Sequence, residues 1–193
     1  MIRKTKPSAA ETAILSVLWE RQPCSVRDIH AVVSATKDSK HPTVIGLIDH
    51  PQKEQLHIAG RLDLNTTGVV LLSNDGAWTR KISLPETKLA KTYEVTVAKP
   101  LNDEYVRVFR EGIYFGYEGI TTQPAQLEIL TDFTAKLSLT EGKYHQVKRM
   151  FAALGNKVEA LHRERIGEIE MDESLELGEY RYLTQEEVDS IWK

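Results

Sequence analysis

Residues 60–76 read GRLDLNTTGVVLLSNDG, and this stretch decides how the middle of the chain folds. Its centre, residues 69–72, is an unbroken apolar run of the length expected for a buried β-strand. Asp75 and Gly76 end the run, and they predict a turn followed by a short helix through Trp78 and Ile82. A strand that is apolar at every position belongs inside a protein, with other elements on both of its faces.

The loop in front of this strand is a candidate functional site. It contains Asp63 beside Arg61, and it lies between Gly60 and Gly68, which allow tight turns and the close approach of a ligand. An isolated loop aspartate more often bonds its own backbone or pairs with a neighbouring arginine. The loop alone therefore leaves a structural and a functional interpretation open.

Outside this stretch, the pattern predicts alternating strands and helices. Asn102 is a helix cap, Gly112 a helix stop, and Thr184 the start of a capping box. The predicted strands are residues 92–97, 125–130, 136–139 and 158–161, and the predicted helices are residues 102–112, 145–154 and a C-terminal helix after Thr184. This mixture indicates an α+β fold with a mixed, mostly antiparallel sheet flanked by helices.

The first 34 residues predict a short helical segment in front of this domain. Ser8 and Glu11 form a capping box, and apolar residues then follow at helical spacing until Pro23 breaks the run. A second short helix is expected from Ser25 onward. We therefore expect a helical N-terminal segment over residues 1–34 and a larger domain over residues 35–193.

Composition indicates an ordinary globular protein. The chain has 193 residues, of which 41% are hydrophobic and 27% charged. No apolar run approaches the roughly 20 residues needed to span a bilayer, and no apolar signal core follows the basic N-terminus, so a cytoplasmic location is expected. Cys24 is the only cysteine, which excludes an intrachain disulfide.

Charge is distributed unevenly along the chain, although the net charge is only −3. Residues 141–165 contain six basic and three acidic side chains, whereas residues 167–193 contain two basic and nine acidic ones. The basic half could face phosphate groups. Two solvated faces of unequal sign would explain the same pattern.

Two further segments combine basic, aromatic and histidine side chains. Residues 91–97 read KTYEVTV and place Tyr93 in a strand, where an aromatic is more often part of the core. Residues 141–151 read EGKYHQVKRMF, which puts His145, Lys148 and Arg149 at the start of a helix, where anions are favoured and phosphates could bind. Taken alone, the second segment could equally be a solvated basic helix face.

Taken together and in this order, GRLDLNTTGVVLLSNDG, KTYEVTV and EGKYHQVKRMFAALGN followed by ALHRERIG resemble the RsuA branch of the pseudouridine synthases. The resemblance extends over residues 34–192. It implies the pseudouridine synthase catalytic fold and an isomerase that converts one uridine of small-subunit (16S) ribosomal RNA to pseudouridine. It also implies that no cofactor or metal is needed and that ribosomal RNA is the partner. A monomer is expected, although the sequence leaves the oligomeric state open.

The resemblance also implies roles for individual residues. Asp63 takes the place of the catalytic aspartate, and Lys148 that of the basic residue which pairs with it. Tyr93 takes the place of the active-site tyrosine that packs on the target base. Leu161 takes the place of an apolar residue lining the base pocket, and Arg61 that of the arginine in the same loop as the aspartate, which we expect to contact RNA. His145 and Arg149 complete the expected substrate-binding residues, because both lie in the basic segment at the predicted helix start.

The N-terminal segment departs from the pattern of this family. Its members usually carry an S4 RNA-binding domain and then a strand with an Asn-Lys-Pro-x-Gly sequence, and neither is recognisable here. Residues 8–33 weakly resemble the first helices of penicillinase-repressor-type winged-helix proteins. Two alternatives to the enzyme are therefore kept: a catalytically impaired RNA-binding or ribosome-assembly protein, and a transcription regulator that uses the N-terminal helices.

Overall fold

The structure is a computed structural model that describes residues 44–45, 48, 50–62, 66–172, 174–175 and 179–193, and the backbone of residues 12–17. Its architecture is α+β, with helices packed against a large mixed sheet, which confirms the fold class expected from the sequence. The strands are β1 (Thr12–Val17), β2 (His57–Ala59), β3 (Thr66–Ser73), β4 (Lys91–Val97), β5 (Tyr114–Phe115), β6 (Ile120–Thr121), β7 (Gln126–Thr131), β8 (Thr134–Leu139), β9 (Val158–Ile166), β10 (Ile169–Glu170) and β11 (Tyr180–Tyr182). The α-helices are α1 (Gly76–Ser83), α2 (Asp103–Glu111), α3 (Gln146–Ala153) and α4 (Gln185–Ser190), and short 3-10 helices cover Lys53–Gln55 and Pro85–Thr87.

The main sheet has the strand order β11-β1-β3-β9-β4-β8-β7, with β2 added to β3 and β10 added to β9. Every pair of neighbouring strands in it is antiparallel except β3 and β9, which run parallel. The strands β5 and β6 form a separate two-stranded hairpin. The parallel β3–β9 pair lies in the middle of the sheet, where the chain brings the two most distant sequence motifs together.

Strand β3 is buried on both faces, as its apolar sequence predicts. Val69 and Leu71 pack with side chains of α1 and α4, whereas Val70 and Leu72 pack with the segment around Ile48. Asp75 caps α1 by accepting hydrogen bonds from the backbone N–H groups of the first helical turn. The predicted strand, turn and helix are therefore confirmed.

A second core lies between the other half of the sheet and the helices α2 and α3. Phe109 of α2 and Phe151 of α3 pack with their ring centroids 4.9 Å apart, and Leu137 of β8 is fully buried in the same cluster. Burial of large apolar side chains is the main stabilising term here, at about 1.5–3 kcal/mol for each fully buried side chain. This core fixes α3 relative to β4 and β9.

The helix predicted over the N-terminal residues is wrong where the structure describes them, because residues 12–17 form strand β1. This strand pairs antiparallel with residues 68–73 of β3 and also with β11. An unpaired edge of β3 would leave a row of backbone N–H and C=O groups without partners, and pairing with β1 supplies them. The remaining predictions for residues 1–34 lie outside the described residues, and the domain boundary at residue 34 stays a prediction.

The other local predictions are confirmed with small shifts. Asn102 caps α2, Gly112 ends it, and Thr184 forms the capping box of α4 with Glu187. The strand predicted at residues 158–161 extends to Ile166, because residues further along pair with β4 and β10. None of the helices in the described ranges has the length and apolar character that crossing a bilayer requires.

Candidate active site

The site is built around the parallel junction of β3 and β9. Thr66, Thr67 and Gly68 lie opposite Leu161, His162 and Arg163, respectively. Gly68 has a φ of +112°, and a Cβ atom added to it would lie 2.1 Å from the carbonyl oxygen of Arg163. Only a glycine allows the two strands to come this close.

Arg163 is the most unusual side chain at this junction, because its guanidinium group is buried with only 1% of the residue exposed. Its Nε and Nη2 atoms donate hydrogen bonds to the carbonyl oxygen of Val69, at 2.9 and 2.7 Å. Its Nη1 atom donates to the carbonyl oxygen of Arg61 at 3.1 Å. Arg163 therefore ties the loop that precedes β3 to the middle of the sheet.

The buried charge of Arg163 affects a second cation nearby. Burial, together with the charge of Arg163, lowers the pKa of Lys91 from 10.5 to about 8. Among the described residues, the contacts of the Arg163 guanidinium are backbone carbonyl groups and no ion pair to it is formed. The inner part of this junction is therefore a region of positive potential, which favours an anionic group close to it.

Tyr93 and Leu161 lie on the same face of the sheet as Arg163. In the antiparallel β4–β9 pair, Tyr93 is opposite Arg163 and Val95 is opposite Leu161. Successive side chains of a strand alternate between faces, so residues two apart share one face. Leu161 is buried in the core beside α3, and Tyr93 is half-buried against the same cluster.

A buried carboxylate fixes the loop in front of α3. Glu141 accepts hydrogen bonds from the side chain of Gln146, at 2.5 Å, and from the backbone N–H of Gln123, at 2.9 Å. Lys143 forms an ion pair with the same carboxylate. Gln146 also accepts a hydrogen bond from the backbone N–H of Lys143 at 2.8 Å. These contacts hold the first turn of α3 in one position.

The three basic side chains predicted near this helix start lie in different environments. Lys148 is half-buried in the first turn of α3. The ring of His145 stacks on Tyr144, with centroids 3.9 Å apart. Arg149 binds the protein itself, because its guanidinium group donates to Glu118 at 2.5 Å and lies 3.8 Å from the ring centroid of Phe115.

The described part of the chain thus places several predicted residues around one junction. Tyr93 and Leu161 share a face of the sheet, and Arg61 is bound through its carbonyl group, while its side chain is exposed. Asp63 lies outside the described residues, between the anchored Arg61 and Thr66. In the described part, no group of three or more His, Cys, Asp or Glu side chains could hold a metal ion.

Arg163 is the residue that sequence reasoning missed, since it was counted only as part of a basic region. The alternation of side chains along a strand could have indicated its position, because a residue two positions after Leu161 lies on the same face of the sheet as Leu161. His162 is on the opposite face, where its Nδ1 atom lies 2.6 Å from the hydroxyl oxygen of Thr67. Burial lowers the pKa of His162 and so favours its neutral form.

Comparison with known proteins gives consistent matches over most of the chain. The family model described as RNA pseudouridylate synthase matches residues 23–153. The chain is 54% identical over 162 residues to the ribosomal small subunit pseudouridine synthase A of Vibrio parahaemolyticus, covering 83% of this chain and 70% of that protein. It is 46% identical over 183 residues to the protein of the same name from Haemophilus influenzae, covering 95% of this chain and 79% of that protein. A crystal structure of a pseudouridylate synthase superposes with a TM-score of 0.84 at 44% identity, covering 94% of this chain and 74% of the other.

Proposed function

Because the chain belongs to the RNA pseudouridylate synthase family, it is an isomerase of uridine in RNA, and we propose that it acts on small-subunit ribosomal RNA with Asp63 as its catalytic carboxylate. The substrate is proposed from the names of the relatives, which describe small-subunit enzymes. A ribosomal substrate also supports a cytoplasmic location, since ribosomes are assembled there. The monomeric state stays a prediction.

The reaction defines what the site must do. The bond between C1′ of the ribose and N1 of uracil breaks, the uracil turns, and a bond forms between C1′ and C5. The proton on C5 is lost and N1 gains one, so product and substrate are isomers and no redox step occurs. A carboxylate can assist either as a nucleophile on the sugar or as a base that removes a sugar proton.

The observation that carries the assignment of Asp63 is the anchoring of its loop. Arg61, two residues before it, is bound to the buried Arg163, and Thr66, three residues after it, is paired with Leu161. We propose on this ground that Asp63 acts at the β3–β9 junction, because only a few residues separate it from these two anchored positions. Asp63 is thus expected at the place where the positive potential of Arg163 favours an anion.

The carboxylate must stay ionised in a site that excludes water. Burial alone would raise its pKa, whereas a cation within about 4–6 Å lowers the pKa of a carboxylate by about 1–3 units. Lys148 in the first turn of α3 is the proposed partner, and Arg163 adds positive charge from the sheet side. We expect loss of either charge to reduce the ionised fraction of Asp63.

Tyr93 and Leu161 are proposed to hold the uracil while it is detached. Tyr93 is half-buried against a rigid core, so its ring can offer one face to a base without large movement. Stacking on an aromatic side chain contributes roughly 1–3 kcal/mol per base. Leu161 supplies an apolar wall on the same face of the sheet, and the target uridine is expected to leave its stack to reach them.

The remaining predicted residues are proposed to contact the RNA backbone. The exposed side chain of Arg61 and the stacked ring of His145 could both reach phosphate groups. Arg149 has protein partners in Glu118 and Phe115, so its proposed contribution is to shape the surface next to the site.

The deciding experiment is the substitution Asp63→Asn, measured by chemical mapping of pseudouridine in small-subunit ribosomal RNA treated with the purified protein. We expect the variant to bind RNA with the affinity of the parent and to form no pseudouridine. A positioned acid–base group contributes about 10²–10⁴-fold to a rate, so turnover within about tenfold of the parent would remove Asp63 from this role. Asp132→Asn is the matched control, because Asp132 is exposed in the turn between β7 and β8.

The same measurement separates the enzyme from the RNA-binding alternative. If the unmodified protein binds ribosomal RNA tightly but leaves every uridine unchanged, the catalytically impaired RNA-binding protein is the better description. If one uridine is converted, and only when Asp63 is present, that alternative is excluded.

A further inference from the structure

The two-stranded hairpin of residues 114–121 exposes two aromatic side chains beside α3, and we refer to it as the tyrosine hairpin. Tyr117 in its turn is 99% exposed, and Tyr114 in β5 is 65% exposed. The Tyr114 ring lies against the turn, about van der Waals distance from where Gly116 and Gly119 would carry a Cβ atom. Large aromatic side chains that contribute nothing to a core are candidates for an interaction surface.

The hairpin is held rigidly, so its exposed rings are presented in a defined position. Phe115 is buried, and the backbone N–H of Gly119 donates to its carbonyl oxygen at 2.9 Å. At the base, Ile113 and Thr122 exchange two hydrogen bonds of 2.9 Å, one between backbone groups and one to the threonine hydroxyl. A rigid platform loses little conformational entropy when it binds a ligand.

Arg149 connects this hairpin to the helix that carries Lys148. Its guanidinium group binds Glu118 in the hairpin turn and stacks on Phe115, and it also donates to the carbonyl oxygen of Tyr144 at 3.3 Å. The hydrogen bond from Arg149 lowers the pKa of Glu118, so this carboxylate stays ionised, and the positive charge of Arg149 balances it. The hairpin therefore adjoins the proposed active site through one residue.

Tyr144, whose carbonyl oxygen accepts a hydrogen bond from Arg149, adds a third exposed ring. It is 76% exposed, and one of its faces is already stacked on His145. Two aromatic surfaces, the hairpin and the Tyr144–His145 pair, are thus each bound to the Arg149 side chain through one of their residues. Both lie near the N-terminal end of α3, whose first turn carries Lys148.

We infer that the tyrosine hairpin and Tyr144 form a stacking platform for unpaired nucleotides of the substrate RNA that neighbour the target uridine. This inference rests on the proposed function and assigns the platform to RNA rather than to a protein partner. The exposed rings are tyrosines on a glycine-rich turn, which suit planar bases and offer hydroxyl groups to phosphates. Unpaired nucleotides also stack without strict sequence preference, whatever the target site.

The test is the affinity of the full chain for RNA after removal of one exposed ring. Tyr117→Ala removes a side chain that is almost fully exposed, so the substitution should not alter the fold or its stability. Loss of one stacked base weakens binding by roughly 5-fold to 150-fold. The probe is a fluorescein-labelled single-stranded oligouridylate of about 12 nucleotides, within the roughly 4–16 nucleotides that single-strand-binding domains cover. Its binding is measured by fluorescence anisotropy at fixed salt.

Two further variants separate stacking by the ring from hydrogen bonding by the hydroxyl group. Tyr117→Phe keeps the ring and is expected to retain the parent affinity, whereas Tyr144→Ala is expected to weaken binding as Tyr117→Ala does. Phe133→Ala is the control, because Phe133 is an aromatic residue with 45% exposure on the separate β7–β8 hairpin. It is expected to leave the RNA affinity unchanged.

Catalysis on small-subunit ribosomal RNA separates this inference from the proposed function. The platform predicts that Tyr117→Ala raises KM by the factor measured with the oligonucleotide and leaves kcat unchanged. Unchanged RNA affinity and KM in a Tyr117→Ala, Tyr144→Ala double variant would overturn the platform, while pseudouridine formation would still support the enzyme. Weakened binding in a protein whose parent makes no pseudouridine would uphold the platform and overturn the enzyme.

Discussion

Arg163→Lys tests whether the buried guanidinium group holds the site together. Arg163 makes three hydrogen bonds to the carbonyl groups of Val69 and Arg61. A lysine ammonium is a compact donor that cannot reproduce this fork, so at least two of the three bonds are lost. At about 1.5 kcal/mol for each hydrogen bond to a charged group, we expect a loss of about 3 kcal/mol in the free energy of unfolding.

This loss has a thermal and a catalytic consequence. For a protein of this size, 1 kcal/mol corresponds to about 2–4 °C in Tm, so Arg163→Lys should lower Tm by about 6–12 °C. A lysine ammonium that stays on the carbonyl group of Val69, which accepts two of the three bonds, releases the carbonyl group of Arg61, and the loop that carries Asp63 then loses its anchor. We therefore expect kcat for pseudouridine formation to fall even at temperatures where the variant is fully folded.

Arg165→Lys is the matched control on the same strand. Arg165 is partly exposed, and its contact with Glu170 is long, at 3.5 Å. Exposed ion pairs of this kind contribute little, so Tm and kcat should stay at the parent values. If Arg163→Lys behaves like Arg165→Lys in both measurements, the buried arginine has no anchoring role and the reasoning is refuted.

Two further predictions concern the same junction. Gly68→Ala should destabilise the protein by more than about 3 kcal/mol in urea unfolding, because its Cβ atom would collide with the Arg163 carbonyl oxygen and force β3 away from β9. Gly60→Ala is the control for backbone strain, since Gly60 also has a positive φ but no neighbour within 4 Å of an added Cβ atom. It should lower the free energy of unfolding by only about 1–2 kcal/mol. Equal losses in the two variants would contradict the predicted collision at Gly68. Lys91 has its pKa lowered to about 8 in the folded protein, so the unfolded chain binds its proton more tightly and stability should rise with pH above 8. The rise is at most about 2 kcal/mol between pH 8 and pH 9.5 and should be absent in Lys91→Met; a rise of the same size in that variant would contradict the assignment.

The strand β3 and the helices around it could be predicted because local signals and packing agree there. Residues 69–72 are apolar at every position, which is compatible only with burial on both faces, and both faces are buried. Asp75, Asn102 and Thr184 cap helices with their own side chains, so nearby residues alone specify those helix starts. The start of each of these helices depends on contacts between residues that are close in the sequence.

Residues 12–17 show where local signals fail. A capping box and helical spacing predict a helix there, yet the backbone forms β1 between β3 and β11. The six-residue edge of β3 offers hydrogen bonds that a helix cannot use. Helix propensity amounts to a few tenths of a kcal/mol per residue, so pairing on both sides of the strand outweighs it.

The candidate site was predicted in part. Family resemblance indicated Tyr93 and Leu161, and the register of β4 and β9 places them on one face. The buried state of Arg163 and the protein partners of Arg149 could not be predicted, because both depend on residues at least 30 positions away. The tyrosine hairpin was also missed. The sequence does not show that Phe115 is buried while the neighbouring rings of Tyr114 and Tyr117 are exposed.

The sequence by itself determined the buried strand β3 and the capped starts of α1, α2 and α4, because these depend on side-chain type and on spacing along the chain. Only the tertiary structure decided that β3 and β9 pair in parallel and that Gly68 permits their close contact. It also decided that the buried guanidinium group of Arg163 donates a hydrogen bond to the carbonyl group of Arg61. The physical reason is distance along the chain: the two motifs are about a hundred residues apart, and hydrogen bonds between them form only when the whole sheet is assembled.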